Sequence, residues 1–242
     1  MSYEQYRPSG FKLLPEVVKN LLIVNGILFL ATIILENRGV NLVDILGLHY
    51  FASEKFHPYQ LITYMFMHGG FMHIFLNMFA LWMFGAAIEN IWGPKRFLTY
   101  YIFTGIGAAI THYAIVYFEL SPAINEINNL IAHAQDPQQL SMLYQQRTEL
   151  LNAPLVVGAS GAVFGLLLAY GMMFPNSLVY VYFAIPVKAK YFVIIYGLVE
   201  LYSGVANAQG DNVAHFAHLG GLLFGLILIL YWRNRNRRRN NF

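Results

Sequence analysis

Ser160 lies in the string Gly158-Ala159-Ser160-Gly161. A serine hydroxyl becomes a nucleophile for acyl transfer when a base takes its proton. Glycines on both sides strip away side chains and let another backbone come close. Gly161 and Gly165 also form a small-x-x-x-small pair of the kind found at close helix contacts. A matching base is His218, in Ala217-His218-Leu219-Gly220-Gly221-Leu222-Leu223-Phe224-Gly225. Gly221 and Gly225 are four residues apart, and His218 precedes Gly221 by about one turn, so the three share a helix face. A neutral imidazole within reach of Ser160 takes the hydroxyl proton and returns it to the leaving amine. The third group is His73 and Asn77, at i and i+4 on one helix. The Asn77 amide, the His73 ring and the Ser160 backbone N–H are suitable donors to a developing oxyanion.

Each string also has a plainer reading. A helical serine bonds back to the preceding turn, a histidine bonds a backbone carbonyl, and a His–Asn pair clamps two helices. What decides between the readings is where the elements place the three groups.

Those elements are set by composition. Of 242 residues, 57% are hydrophobic and only 11% charged, and the mean hydropathy is +0.49. A water-soluble domain carries about a quarter of its residues as charges, so lipid must cover much of this surface. The 16% aromatic content suits a membrane–water interface. With no cysteine, disulfides and thiolate chemistry are excluded.

A hydrocarbon core of about 30 Å takes about 20 apolar residues per helix. Six segments qualify, at roughly 20–36, 68–89, 97–118, 154–173, 189–204 and 213–232. The first ends in Glu36-Asn37-Arg38 without a small-residue cleavage site and reads as a membrane helix rather than a cleaved signal. The expected fold is an all-α, six-helix membrane bundle over residues 20–232, after an N-terminal segment 1–19 and before a basic tail 233–242. Segment 37–67 reads as a partly embedded loop, and 174–188 as a lipid-hugging turn. Segment 119–153 reads as a long external loop with amphipathic stretches at Ala123–Ala134 and Gln138–Leu151. With six spans, twelve Lys and Arg fall on the side of the termini and three on the other, which makes both termini cytoplasmic. The five arginines from Arg233 to Arg239 then anchor to anionic lipid rather than to nucleic acid.

This arrangement puts Ser160, His218 and the His73–Asn77 pair near the outer ends of their spans, at one depth. No carboxylate falls at an obvious place beside them. Asp211 lies in a loop, and Glu89 and Glu200 fall at other levels, so the expectation is a Ser160–His218 dyad without an acid. A zinc site gathering His215, His218, His68 and His73 is a competing arrangement, but it gives the glycines around Ser160 no role.

The sequence resembles the rhomboid protease family. H-x-x-x-N at 73–77, G-A-S-G at 158–161 and A-H-L-G-G-L-L-F-G at 217–225 match its three motifs in order, and Gly85-x-x-x-Glu89 with Gly93 matches its second-helix ending. The resemblance implies a six-transmembrane-helix rhomboid bundle and an intramembrane serine endopeptidase acting on transmembrane protein substrates within the lipid bilayer. It implies Ser160 as nucleophile, His218 as base, His73 and Asn77 at the oxyanion site, and no metal or cofactor. Gly158, Gly161, Gly221 and Gly225 are supporting positions, Phe164 falls where relatives pack an aromatic ring on the histidine, and His68 is structural. The first outer loop lacks the Trp-Arg pair of many relatives, and 119–153 is longer than in compact members. Without disulfides or a targeting presequence, a bacterial plasma membrane is expected. A binder built on the same bundle would lack the serine or the histidine, and both are present.

Overall fold

The computed structural model describes residues 10–181, 184–206 and 214–240. Inside a bilayer every backbone polar group must be satisfied within the protein, which leaves helices as the element for these apolar runs. The chain forms α1 (Glu16–Glu36), α2 (Leu42–Leu46), α3 (Gln60–Thr63), α4 (Phe71–Trp92), α5 (Pro94–His133), α6 (Pro137–Asn152), α7 (Ser160–Met173), α8 (Ala189–Ala206) and α9 (His215–Asn240). Among the described residues, α1, α4, α5, α8 and most of α9 are long and apolar enough to cross a membrane, and α7 is a shorter apolar helix. This is a multi-pass membrane protein. Ile23, Ile27 and Leu30 on α1, and Ile194, Leu198 and Tyr202 on α8, face outward, where lipid replaces water.

Helix α7 is the centre. At about 21 Å it is shorter than the hydrocarbon core, and it is buried on nearly every face. It can be this enclosed because its neighbours approach through small residues. A Cβ on Gly221 of α9 would collide with the Gly161 carbonyl, and one on Gly165 would lie 2.6 Å from Thr104 Cγ2 of α5. Tyr100 of α5 donates its hydroxyl to the Gly165 carbonyl at 2.8 Å, which ties the two helices together.

The expected span 154–173 is corrected at its start. Leu155–Val156 is an extended strand, β2, paired antiparallel with β1 (Leu48–His49), and the helix begins only at Ser160. The supposed loop 37–67 is therefore partly ordered as α2, β1 and α3. Segment 174–188 is a hairpin, with β3 (Leu178–Val181) paired to β4 (Ile185–Lys188).

Two further boundaries move. Helix α5 does not stop near 118 but runs 40 residues to His133, about 60 Å and twice the hydrocarbon thickness. A turn at 134–136 leads into α6, whose first N–H is capped by the Asp136 side chain accepting from Gln138 N at 3.1 Å. The expected loop is thus a helical hairpin. Helix α9 likewise continues to Asn240, so the basic tail prolongs a helix through the arginines. Arg96 of α5 lies over the Trp232 ring of α9 at 4.3 Å.

Glu89 closes the other end of the bundle. Its carboxylate accepts from Val17 N at 2.9 Å and Val18 N at 2.8 Å, capping the first turn of α1 from α4. Those N–H groups have no partner within their own helix, and a buried carboxylate there is both hydrogen-bonded and favoured by the helix dipole.

Candidate active site

The late start of α7 has a chemical consequence. Ser160 occupies the first turn, where backbone N–H groups have no intrahelical acceptor and the dipole favours negative charge. The approach to that turn is fixed at Gly158, whose φ of 125° is a conformation that L side chains rarely adopt. Gly158 N donates to the Tyr64 carbonyl at 2.9 Å, and Tyr64 in turn donates its hydroxyl to the Gly105 carbonyl at 2.7 Å. The serine is thus held from both α5 and the segment after α3.

Helix α9 brings the histidine. The close seat of Gly221 on Gly161 lets the two backbones meet, and His218 Nε2 lies 2.8 Å from Ser160 Oγ. The imidazole is stacked on Phe164 of α7, with ring centroids 4.3 Å apart and 8° between planes, and Phe164 stacks in turn on Tyr196 of α8. Both Ser160 and His218 are where the sequence places them, in contact, and Phe164 is against the ring.

A carboxylate is also there, and this corrects the expected acid-free pair. Glu200 Oε2 lies 2.9 Å from His218 Nδ1 and 2.6 Å from His215 Nδ1. A carboxylate only accepts, so the His218 proton facing it sits on Nδ1 and the Nε2 lone pair faces the serine. Glu200 is buried and carried by α8. The expected end of this span at 204 already puts Glu200 about one turn from it. With α8 reaching Ala206, Glu200 lies about 9 Å from that end, close to the level of His218 in the first turns of α9. The signal was present: it is the sole acidic residue of its span, and an ionisable group inside a membrane defaults to function.

On α4, Asn77 is buried and donates Nδ2 to the His73 carbonyl at 2.9 Å, which leaves its second amide hydrogen for another acceptor. His73 Nδ1 accepts from Gly69 N at 3.3 Å, so a neutral ring carries its proton on Nε2. That nitrogen faces Gly158: a Cβ built there would be 2.8 Å from His73 Nε2 and 3.6 Å from Ser160 Oγ. The space left open by the glycine is therefore bounded by a donor and a hydroxyl. His68 packs beside His73 with ring centroids 5.1 Å apart, and burial, with the His73 ring as neighbour, pushes its pKa down to about 4.

Among the described residues, the metal-ligating side chains that gather within 4.8 Å of one another are Glu200, His215 and His218. His68 and His73 are not part of that group, which corrects the four-histidine arrangement. Asp211 and the 207–213 segment lie outside the described residues.

A family model described as "Rhomboid domain" matches residues 55–235. The chain is 27% identical to "RHOMBOID-like protein 12, mitochondrial" of Arabidopsis thaliana over 94% of its own length and 60% of that protein's. It is 27% identical to "Putative rhomboid protease YdcA" of Bacillus subtilis over 75% of its length and 70% of the relative's. It is 24% identical to "Rhomboid protein 1, mitochondrial" of Saccharomyces cerevisiae, of which it spans 38%.

Proposed function

Because this chain belongs to the rhomboid family, we propose that it is an intramembrane serine endopeptidase, with Ser160 as nucleophile, His218 as general base and Glu200 as the residue that positions His218. The observation that carries the reading is the 2.8 Å contact between His218 Nε2 and Ser160 Oγ at the first turn of a buried helix. The family's homologues named as proteases support membrane proteolysis in general.

In this mechanism Ser160 Oγ attacks the substrate carbonyl while its proton passes to His218 Nε2. The imidazolium is held by the Glu200 carboxylate at Nδ1 and later gives the proton to the leaving amine. The oxyanion lies in the space above Gly158, beside His73 Nε2, with the Ser160 N–H and the spare Asn77 amide hydrogen as its further donors. No step calls on a metal or cofactor. Substrates are transmembrane segments of other membrane proteins, cut near the face where α9 begins, with both termini of this chain on the opposite, cytoplasmic side of a bacterial plasma membrane. Their route inward lies past α8, where Ala189, Val193 and Glu200 are the buried residues and Ile194, Leu198 and Tyr202 face lipid. Helix-breaking residues near the cut speed cleavage, since the scissile segment must unwind.

The test is labelling with an active-site-directed fluorophosphonate, with a reconstituted membrane substrate alongside. The parent chain labels and cleaves, while Ser160→Ala and His218→Ala do neither. Equal labelling of all three proteins overturns the assignment.

A further inference from the structure

We propose that Glu200, His215 and His218 form a binding site for a divalent cation of zinc's chemistry, and that its occupation switches the serine–histidine pair off. The switch rests on the reading of Ser160 and His218 given above. The binding site itself does not.

His215 and His218 are three residues apart on α9, so their rings emerge from one face. Both turn Nδ1 to the same carboxylate oxygen, at 2.6 and 2.9 Å, and the three potential ligand atoms lie within 4.8 Å of one another. Two imidazole nitrogens and one carboxylate oxygen from two helices, with a further position open to water, is a ligand set that zinc accepts. Tetrahedral bonds of about 2.0–2.1 Å set neighbouring ligands about 3.3 Å apart. The two carboxylate contacts, at 2.6 and 2.9 Å, need to open by a fraction of an ångström, and the two ring nitrogens, within 4.8 Å of each other, settle to the same spacing by side-chain rotation. The carboxylate already supplies negative charge in a buried setting, and the His215 side chain, at the start of α9, is 13% exposed, which leaves an approach for an ion.

The effect on Ser160 follows from the imidazole. In the metal-free site the ring proton is on Nδ1 and the Nε2 lone pair accepts from the serine hydroxyl. A cation taken up at Nδ1 needs that lone pair, so the proton moves to Nε2. No proton is gained or lost overall. An Nε2–H donates to Ser160 Oγ and cannot take its proton, so the nucleophile is no longer activated. The cation also displaces Glu200 from its contact with the ring. One binding event thus removes both functions of the His218 neighbourhood.

The experiment has two arms on the full-length chain in detergent. In the first, Ser160→Ala protein is titrated with zinc against a chromogenic chelator, so that the reading does not depend on activity. One zinc per chain is expected, and Glu200→Gln or His215→Asn, each on the Ser160→Ala background, weakens binding by about tenfold or more. Asparagine at 215 retains an N–H donor for Glu200, and each variant is checked for a cooperative melt. No bound zinc, or binding unchanged by His215→Asn, overturns the site. In the second arm, zinc suppresses fluorophosphonate labelling of the parent and EDTA restores it. His215→Asn, normalised to its own metal-free rate, resists zinc. Zinc bound without suppression overturns the switch. A parent that never labels, even without metal, sinks the protease reading instead and leaves the first arm to decide the site.

Discussion

The pairing of a serine with a histidine was legible from residue types and glycine spacing, because the glycines that let two helices close together flank those two residues. Glu200 was not, because its meeting with His218 depends on how α8 is turned against α9, a tertiary contact that the spacing within either helix does not encode. The carboxylate makes a prediction that separates positioning from mere packing. Glu200→Gln is expected to lower kcat by about 10²–10⁴-fold, in the range seen when a triad acid loses its charge, with KM little changed. Glu200→Asp recovers part of the loss, since it keeps the charge at a shorter reach. Steady-state cleavage of a reconstituted substrate measures both, and a fall in KM-controlled binding alone would remove Glu200 from the mechanism. Gly158 offers a second test. Alanine there must adopt φ near 125° and thrust a methyl to 2.8 Å from His73 Nε2, into the oxyanion space. Activity falls by about 10²–10³-fold, the usual loss when one oxyanion donor is disabled, while the melt shifts far less than the rate.

At the scale of elements, the order of apolar segments was readable, and among the described residues five of them reach the length that a bilayer imposes, while α7 is shorter. The ends of the segments were not readable. The start of α7 at Ser160 is set by a strand pair, Leu48↔Val156 and His49↔Leu155, between segments about a hundred residues apart in sequence, which no local pattern encodes. The contact of α7 with α9 is the joint on which the site depends. Gly221→Ala puts a methyl onto the Gly161 carbonyl, and backbone cannot give way as a flexible side chain does. A destabilisation of about 1–3 kcal/mol is expected, together with lost fluorophosphonate labelling, because the helices part where Ser160 and His218 meet. Thermal unfolding in detergent reads the first and gel fluorescence the second. The lead-in to α4 carries a pH dependence. His68 is buried and stays neutral down to about pH 4, whereas in the unfolded chain it gains a proton near 6.5. Its contribution to stability is therefore fully present above about pH 6.5. It is lost progressively as pH falls toward 4, by about 3 kcal/mol at most. His68→Gln flattens the acid side of the melting-temperature profile, and an unchanged slope would show that other groups dominate it.

For the whole molecule, the core that holds the site and the hairpin of α5 and α6 are separable. The extension of α5 beyond the bilayer and all of α6 bury little more than Ile127 and Leu143, and neither belongs to the main cluster around Tyr100, Leu166 and Phe97. The sequence marked this stretch by its polarity and by the break near Asp136, but could not show that its two amphipathic halves continue a membrane helix and pack on each other. What joins the hairpin to the rest is its far end, where Asn152 Oδ1 accepts from the Ser53 hydroxyl at 2.5 Å just before β2 begins. An excision that removes residues 120–149 but keeps Asn152 and the β1–β2 pair should therefore leave the site assembled. Two helices in a hairpin pack about 8–10 Å apart, a gap that a linker of about four glycines and serines spans. The shortened chain is expected to melt within a few degrees of the parent and to label at Ser160 at a comparable rate. Its cleavage of membrane substrates then isolates what the hairpin does. A selective loss of cleavage with labelling intact assigns it to substrate recognition, whereas loss of labelling would mean that the hairpin supports the bundle and that the two parts are one folding unit.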